Sequence, residues 1–314
     1  MTAAQVIAAA YEDLGILAPG VSPTTAQSTR ALSRLNMLVK QWQGNSDLAP
    51  GLKVWTRQRV TLFLAVGQQS YLVGPAATDA RASTQVGRTT ISADEAAAQT
   101  VLSITSNTDI TSYPGTTLTM TSGDLIAIEL NDHTLQWTTI SGTPAMTVTV
   151  NNALTAAASA GRFVWWFTSR AQRFPLLEFA SLRDSNFNDT PLDIYSQVQQ
   201  YDSTVSKFAD GTPTALLVEP LTLNTRITLN SQPTDITQQI FMTVLYPAED
   251  YDATTDDIAF PQEWYAALSW ELAFRLSTPT NRWTDTMQAN RQSALAMARS
   301  ANPETSALFF APNA

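Results

Sequence analysis

The sequence predicts an α+β fold. Helices from the two ends of the chain form a bundle, the middle is rich in β-strands, and a small β-sandwich or barrel module is inserted into it. Three observations carry this reading. Apolar residues recur at helical spacing near both ends. Between them, β-branched and aromatic residues alternate with polar ones. Within that middle lies a run of short strands separated by Gly- and Pro-containing turns.

The first helical stretch places Val6, Ile7, Ala10, Tyr11 and Leu14 on one face, with Gly15 near its end and Pro19-Gly20 breaking the chain. Ser22-Pro23-Thr24-Thr25 offers side-chain caps for a second helix, which carries Leu32, Leu35, Leu38, Val39 and Trp42 and stops at Gly44-Asn45. A helical hairpin of about 40 residues is too small for its own core, so its apolar face must pack on something else. Near the other end, Pro261 suits a first helical position and Glu263 the positive end of the helix dipole. Trp264, Ala267, Leu268, Glu271, Leu272, Arg275 and Leu276 follow at helical spacing, and residues 283–299 read as a last helix rich in Ala, Gln and Met.

In the middle, Arg59–Leu64 and Ser70–Val73 read as two strands of a hairpin turning at Val66–Gln69. Residues 76–100, rich in Thr, Ser and Ala, read as a loop or linker or as the edge of an insertion. Strands are then expected at Thr117–Met120, Leu125–Ile128, Gln136–Ile140 and Met146–Val150, and extended chain at Leu192–Tyr195, Ala215–Val218, Arg226–Leu229 and Ile240–Tyr246. Trp165-Trp166-Phe167 reads as strand core. The expected organisation is a helical core at 1–50 plus 255–300, a β-rich region at 51–86 plus 165–254, an inserted β module at 87–164 and an extended tail at 301–314. Leu308-Phe309-Phe310 makes that tail apolar.

Composition narrows the chemistry. The 314 residues include no Cys and one His. Disulfides, thiolate nucleophiles and Cys-ligated metals are therefore excluded, which fits a reducing cytosol. A Ser-His-Asp triad would depend on His133 alone, and Leu130-Asn131-Asp132-His133-Thr134 reads as a polar turn. No Gly-rich phosphate cradle is present, so no catalytic, metal or cofactor residues are assigned and the chain is read as no enzyme. Charged residues make up 14% of the chain, well below the roughly 25% of an ordinary domain, and the neutral polar surface this leaves suits close packing of many copies. A net charge of −9 gives no general attraction to nucleic acid. No apolar run of about 20 residues is expected to cross a membrane, and the first residues lack the pattern of a signal peptide. The acidic residues between Tyr246 and Asp257 lack the spacing of a calcium loop and read as a solvated loop. Arg183-Asp184 reads as a salt bridge or turn.

Several runs carry a resemblance. Val6-Ile7 through Glu12-Asp13-Leu14-Gly15, then Leu35 to Trp42, give an opening helix ending in Leu-Gly and a second closing on Trp. Gly67-Gln68-Gln69-Ser70-Tyr71 follows. Arg173-Phe174-Pro175 leads to Leu182-Arg183-Asp184, Asp189-Thr190-Pro191-Leu192, Tyr201-Asp202, Lys207 and Asp210-Gly211-Thr212-Pro213. Last come Leu245-Tyr246-Pro247 and Phe260-Pro261-Gln262-Glu263-Trp264 with Ala267-Leu268. In this order the runs resemble the head-to-tail connector adaptors of short-tailed bacteriophages, the tail accessory factor or head-completion family. The chain departs from the family pattern at Leu229-Asn230-Ser231-Gln232-Pro233, where other members carry a Tyr-Pro-x-Pro strand end.

The resemblance implies a structural virion protein, assembled in the host cytoplasm. It implies a homo-oligomeric ring of twelve copies under the portal protein, joined below to tail or nozzle proteins, that helps close the head. DNA would be passing cargo in the exit channel, where an acidic lining lets it slide. The helices would pack on neighbours and portal, and the tail would reach the portal with Leu308, Phe309 and Phe310 as its anchors. For the inserted module, a decorative insertion and a contact domain both stay open. Two alternatives stand beside this. One is a peptidoglycan-cleaving tail protein using two of Glu12, Asp13 and Glu178. The other is a tail-tube or tail-completion subunit whose β insertion binds a host or partner.

Overall fold

A computed structural model describes residues 1–44, 57–74, 81–109, 117–204, 207–246, 250–258, 260–278 and 282–301. The chain is mixed α+β and divides into two compact units. Met1–Thr56 with Pro247–Ala314 is one, and Arg57–Tyr246 is the other.

The first unit begins with helices α1 (Ala3–Asp13) and α2 (Thr25–Gly44). Each opens with a reciprocal Thr-x-x-Gln box. The Thr2 hydroxyl accepts from the Gln5 N–H while the Gln5 side chain accepts from the Thr2 N–H, and Thr24 and Gln27 repeat the arrangement. The next free donors of α1, Ala3 and Ala4, bond to the carbonyls of Asp256 and Thr254 at 2.9 and 2.8 Å. Its other end is closed by Gly15, whose φ of +63° suits glycine. The Gly15 and Ile16 N–H groups cap the carbonyls of Glu12 and Tyr11.

The second unit follows. Its described strands are β1 (Arg57–Phe63), β2 (Ser70–Val73), β3 (Ala82–Ser83), β4 (Gly87–Thr90), β5 (Val101–Ser103), β6 (Leu125–Glu129), β7 (Leu135–Ser141), β8 (Thr147–Val150), β9 (Phe163–Phe167), β10 (Leu176–Arg183), β11 (Asp189–Pro191) and β12 (Asp193–Tyr195). A short helix α3 (Val198–Asp202) precedes β13 (Ala215–Pro220), β14 (Thr225–Leu229) and β15 (Gln239–Leu245). Three sheets result, ordered β11-β10-β15-β1-β3, β12-β13-β14-β2 and β4-β9-β6-β7-β8-β5.

The five- and four-stranded sheets share one core. Val60, Leu62, Leu182, Ile240 and Met242 come from the first, and Tyr71, Val73, Leu216, Ile227 and Leu229 from the second. This corrects the hairpin expected at residues 59–73. β1 pairs with β15 and β3, whereas β2 pairs with β14. The turn at Val66–Gln69 carries the chain from one sheet to the other, because Leu62, Leu64, Tyr71 and Val73 all bury into the same core. Tyr71 locks this corner: the Ala65 N–H donates to its hydroxyl at 3.1 Å, and the hydroxyl lies 3.3 Å from the Ala65 carbonyl. Burial pushes the phenol up to about 12, so it remains a proton donor.

The first and last strands of the six-stranded sheet in chain order, β4 and β9, pair with each other. β3 and β4 lie within residues 76–100, the stretch read as a loop, a linker or the edge of an insertion, and β4 is an edge strand of the six-stranded sheet. Thr-rich segments pair well when one face is buried, and Gly87 and Thr89 are buried. Thr117–Met120, expected as a strand, makes only an isolated bridge between Thr119 and Thr108. The chain beyond β4 bonds to the chain around β5 through an Ile91–Ile104 bridge and the bonds Ser92 N–H to Ser103 O and Thr105 N–H to Thr90 O. Ile91, Leu102, Ile104, Ile126, Ile128, Val148 and Trp166 fill the interior.

The chain then returns to the first unit through a 3₁₀ turn (Gln262–Trp264), α4 (Tyr265–Ser277) and α5 (Asp285–Ala301). The expected apolar faces of α1, α2 and α4 meet in one core, where Trp264 is fully buried and its ring lies edge-on to Trp42, 5.6 Å between centroids. Asn36 bonds to both the N–H and the carbonyl of Tyr251, and Asp256 accepts from the Asp252 and Ala253 N–H groups. The acidic segment is therefore folded onto the helices at Tyr251.

Gly87 faces Trp166 across the β4–β9 pair, and a Cβ there would lie 2.3 Å from the indole. Trp166 is fully buried and has no room to yield. Gly87→Ala is expected to destabilise the second unit by about 1–3 kcal/mol, read as a lower midpoint in urea unfolding. An unchanged midpoint would mean that the indole repacks freely.

Candidate functional site

Strand alternation puts every second residue of the five-stranded sheet away from the shared core. Arg59, Thr61 and Phe63 on β1, Ser181 and Arg183 on β10, and Gln239 and Phe241 on β15 all point outward. Register brings them together, since Thr61 and Ser181 flank Phe241, and Arg183 faces Gln239.

The six-stranded sheet also uses both faces of a strand. On β9, Val164 and Trp166 enter its interior, while Phe163, Trp165 and Phe167 point out. Phe63 packs edge-on to Trp137 and Trp165, at 5.1 and 5.8 Å between centroids. Beside this aromatic joint lies a cleft of ≈ 50 Å³, lined by Arg59, Arg88, Arg183, Phe187, Phe241 and Trp165 together with Thr61, Thr84, Val86 and Gln239.

Guanidinium groups and rings alternate here. Arg88 lies over Phe163 at 3.9 Å and Phe187 at 4.8 Å. Arg183 lies over Phe241 at 4.0 Å, and Arg59 approaches the same ring at 5.7 Å. Such stacking engages the flat face of the cation and leaves its N–H donors at the edge. Arg183 spends two of them on Asp189, with bonds of 2.8 and 2.7 Å. Burial lowers the Arg88 guanidinium from its ordinary value, against the opposing fields of Asp109 and Glu129. It stays charged at any physiological pH. Among the described residues, the buried Nε of Arg88 has no hydrogen-bond partner.

Phe187 is held in place at a steric cost. Its φ is +64°, a conformation that bulky residues rarely adopt. The Asp184 carboxylate fixes the loop by accepting from the Asn186 N–H, the Asn188 N–H and the Asn188 side chain at 2.8–2.9 Å. These bonds, led by that of the Asn188 side chain, hold the Asp184 carboxyl below the usual range. Asp184 thus makes a turn, while the salt bridge of Arg183 goes to Asp189 and not to its neighbour.

The cleft lining contains guanidinium, hydroxyl, amide and aromatic groups and no carboxylate or imidazole.

The residues singled out in the sequence lie elsewhere. Leu308, Phe309 and Phe310 fall outside the described residues. His133 is an exposed turn residue between β6 and β7 with a φ of +61°. Glu12 accepts from the Gly20 N–H and Asp13 from the Ser269 hydroxyl, whereas Glu178 is bonded twice to Arg57. Burial raises the Asp13 carboxyl, partly offset by its bond to Ser269. Glu12 and Asp13 belong to the first unit and Glu178 to the second. Among the described residues, no group of three or more His, Asp or Glu side chains is placed to hold a metal ion, and no helix is long and apolar enough to cross a membrane.

The first unit carries a second concave surface, of ≈ 240 Å³, between α2, α4 and α5. Arg291 forms a paired bridge to Glu271 at 2.6 and 2.8 Å and stacks on Phe274, while Arg275 bonds to Gln41.

No family model matches the chain, and no curated protein matches it. Among solved structures, VP17, a capsid protein of bacteriophage P23-77, aligns with 60% of this chain and 82% of that chain at 7% identity and a TM-score of 0.15. At that TM-score the likeness carries no argument.

Arg183→Lys keeps the charge but loses the two-pronged bond to Asp189 and the flat stack on Phe241. The Arg183 side chain is only 14% exposed, so screening is partial. A loss of about 1–2 kcal/mol is expected in urea unfolding. An unchanged midpoint would make the ladder a surface decoration.

Proposed function

We propose that this chain is a structural subunit of a tailed-phage particle, an adaptor that binds under the portal as a ring and connects the DNA-filled head to the tail. The observation that carries the reading is where the family-like runs fall. The opening run, Val6 to Trp42, supplies α1 and α2, and Phe260 to Leu268 supplies the approach to α4 and its first turn. Residues from both runs, Trp42 and Trp264 among them, meet in a single core. Two distant stretches that look alike to the family in sequence thus cooperate in one physical object.

The finer architecture is read in the same terms. The four helices of the first unit form the bundle of such an adaptor. The six-stranded sheet, with its seam at Ile91 and Ile104, is a small barrel inserted into the β-rich middle. The helical unit exposes Met37, Phe274 and Met297, and Phe274 lines a concave surface with Arg275 and Arg291, apolar and basic groups of the kind that neighbouring subunits and a portal ring cover. Leu308, Phe309 and Phe310 are assigned to portal contact, DNA to passage only, and the site of action to the virion. The role is structural and not enzymatic, a reading favoured by the engagement of Glu178 with Arg57.

The test is the mass of the purified protein, alone and with its cognate portal ring, by native mass spectrometry or light scattering. A monomer that adds to the ring in a fixed multiple of the ring's subunits is expected. Removing residues 303–314 should weaken that addition at least about tenfold, as loss of aromatic anchors does. A protein that ignores the portal sinks the reading.

A further inference from the structure

We propose that the first unit carries a self-association surface, in which the arginine flank of α2 in one copy receives the acidic turn at 250–258 of a second copy. The inference deepens the ring reading by naming the surfaces through which copies meet, and it rests on that reading for the closure of those contacts into a ring.

The arginine flank is charge without a counterion. Helix α2 contains Arg30, Arg34 and Lys40 and no acidic residue. Arg30 and Arg34 are exposed, four apart on one side of the helix, and neither has a hydrogen-bond or ion-pair partner among the described residues. Like charges at this spacing repel. Gln41 continues the same side, and its amide accepts from Arg275 of α4. Burial lowers the Arg275 guanidinium from its ordinary value; Glu271 opposes the shift, and Arg34 and Arg291 add to it. The Glu271 carboxylate is already gripped by Arg291 through two bonds, at 2.6 and 2.8 Å. Arg34, Arg275 and Arg291 therefore share one carboxylate that is spent on the last of them, and the flank keeps a net positive charge.

The other flank of α2 holds the complementary charge. Asn36 bonds to Tyr251 and Lys40 to Asp250, which fixes the turn there. The turn carries Asp250, Asp252, Asp256 and Asp257 against two cations, Lys40 and the N-terminal ammonium. The Asp252 carboxylate is exposed and has no partner among the described residues, and Asp257 is 87% exposed. At 3.6 residues per turn, Asn36 and Lys40 lie about 130° round the helix from Arg34 and Gln41. Met37, 56% exposed, stands on the ridge between them. One copy thus cannot bring its acidic turn to its own arginine flank, whereas a second copy can. Both charges lie at the same level of α2, so two copies side by side and parallel bring them into register. Such a contact is head-to-tail: it repeats from copy to copy and closes where the rotation permits.

Sedimentation equilibrium of the full chain reads the contact directly, without portal and at about 50 mM salt, where exposed charges are weakly screened. The wild type should be monomeric at about 10 µM and associate with a Kd of about 0.2 mM, as a small charged contact does. Arg34→Glu and Asp252→Lys each change an exposed side chain without a partner, so both variants keep the fold. Each should weaken association at least about fivefold, and an equimolar mixture of the two should restore it. A wild type that is monomeric at about 1 mM, an association unchanged in either variant, or a mixture as weak as its components overturns the proposal. An Arg34-dependent rise in thermal midpoint with inorganic phosphate, in a wild type that stays monomeric, overturns it too, because the flank then takes a free anion. No portal is present, so the two readings fail separately. A protein that self-associates but ignores the portal sinks the adaptor and leaves this contact, and a monomer that adds to the portal does the reverse.

Discussion

The helical unit depends on one constraint: neither end of the chain can bury its own apolar face. α1 and α2 make only a two-helix hairpin, and the residues they turn inward, from Val6 to Trp42, require a partner that the first 44 residues do not contain. That partner is α4, supplied more than 200 residues later, and the contact is centred on the edge-on packing of Trp42 and Trp264. Main-chain bonds reinforce it, for the residues around Asp256 satisfy the first donors of α1. Joining both ends in one core makes everything from Arg57 to Tyr246 an excursion that must fold on its own hydrophobic terms. It does so with cores of its own.

Within that excursion, the governing economy is that strands are used on both faces. β1 gives Val60 and Leu62 to the core shared by two sheets, and Phe63 to the aromatic joint. β9 gives Val164 and Trp166 to one interior and Trp165 and Phe167 to the other side. A strand buried on both faces has no room for the polar half of an alternating pattern, which is why Phe163-Val164-Trp165-Trp166-Phe167 is continuous in apolar residues. Where the joint ends, the same outward positions carry Arg59 and Arg183 in place of rings, and the cleft begins.

How much of this is legible in the sequence follows from the range of each interaction. The helices are legible because their signals are local: the 3.6-residue recurrence, Gly15 at a left-handed cap, Pro261 before Trp264. So are β13, β14 and β15, whose β-branched runs are short-range too. Alternation suggests a β1–β2 hairpin that the structure does not form, because it reveals the burial of two neighbouring strands but not their partners. Pairing with β15 and β14 is decided by residues about 150 to 190 positions away. β4 is hidden because Gly-Arg-Thr-Thr has no apolar residue, its burial being enforced by Trp166 lying over Gly87. The cleft is less legible still. Arg59, Arg88, Phe187 and Phe241 are scattered through more than 180 residues, and only their register assembles them. One signal was present: Arg and Phe at outward positions of strands whose other face is plainly core.

An acidic chain that gathers arginines in one place must solve the cost of burying them. Ion pairing alone would cancel the charge it holds, and solvent exposure would dissolve the geometry. Stacking on phenylalanine does neither. It shields the guanidinium face with apolar surface, contributes cation–π attraction, and leaves charge and donors at the edges. Arg88 shows the balance: burial lowers it, Asp109 and Glu129 oppose that shift, and the rings of Phe163 and Phe187 both lie against the cation. The left-handed backbone at Phe187 belongs to the same solution, since without it one wall of the stack would be missing. A packing-only joint could be made from the aromatic residues around Phe63 and needs no arginine. What the arginines add at its border is a cation held against rings, at a position where burial alone would disfavour the charge.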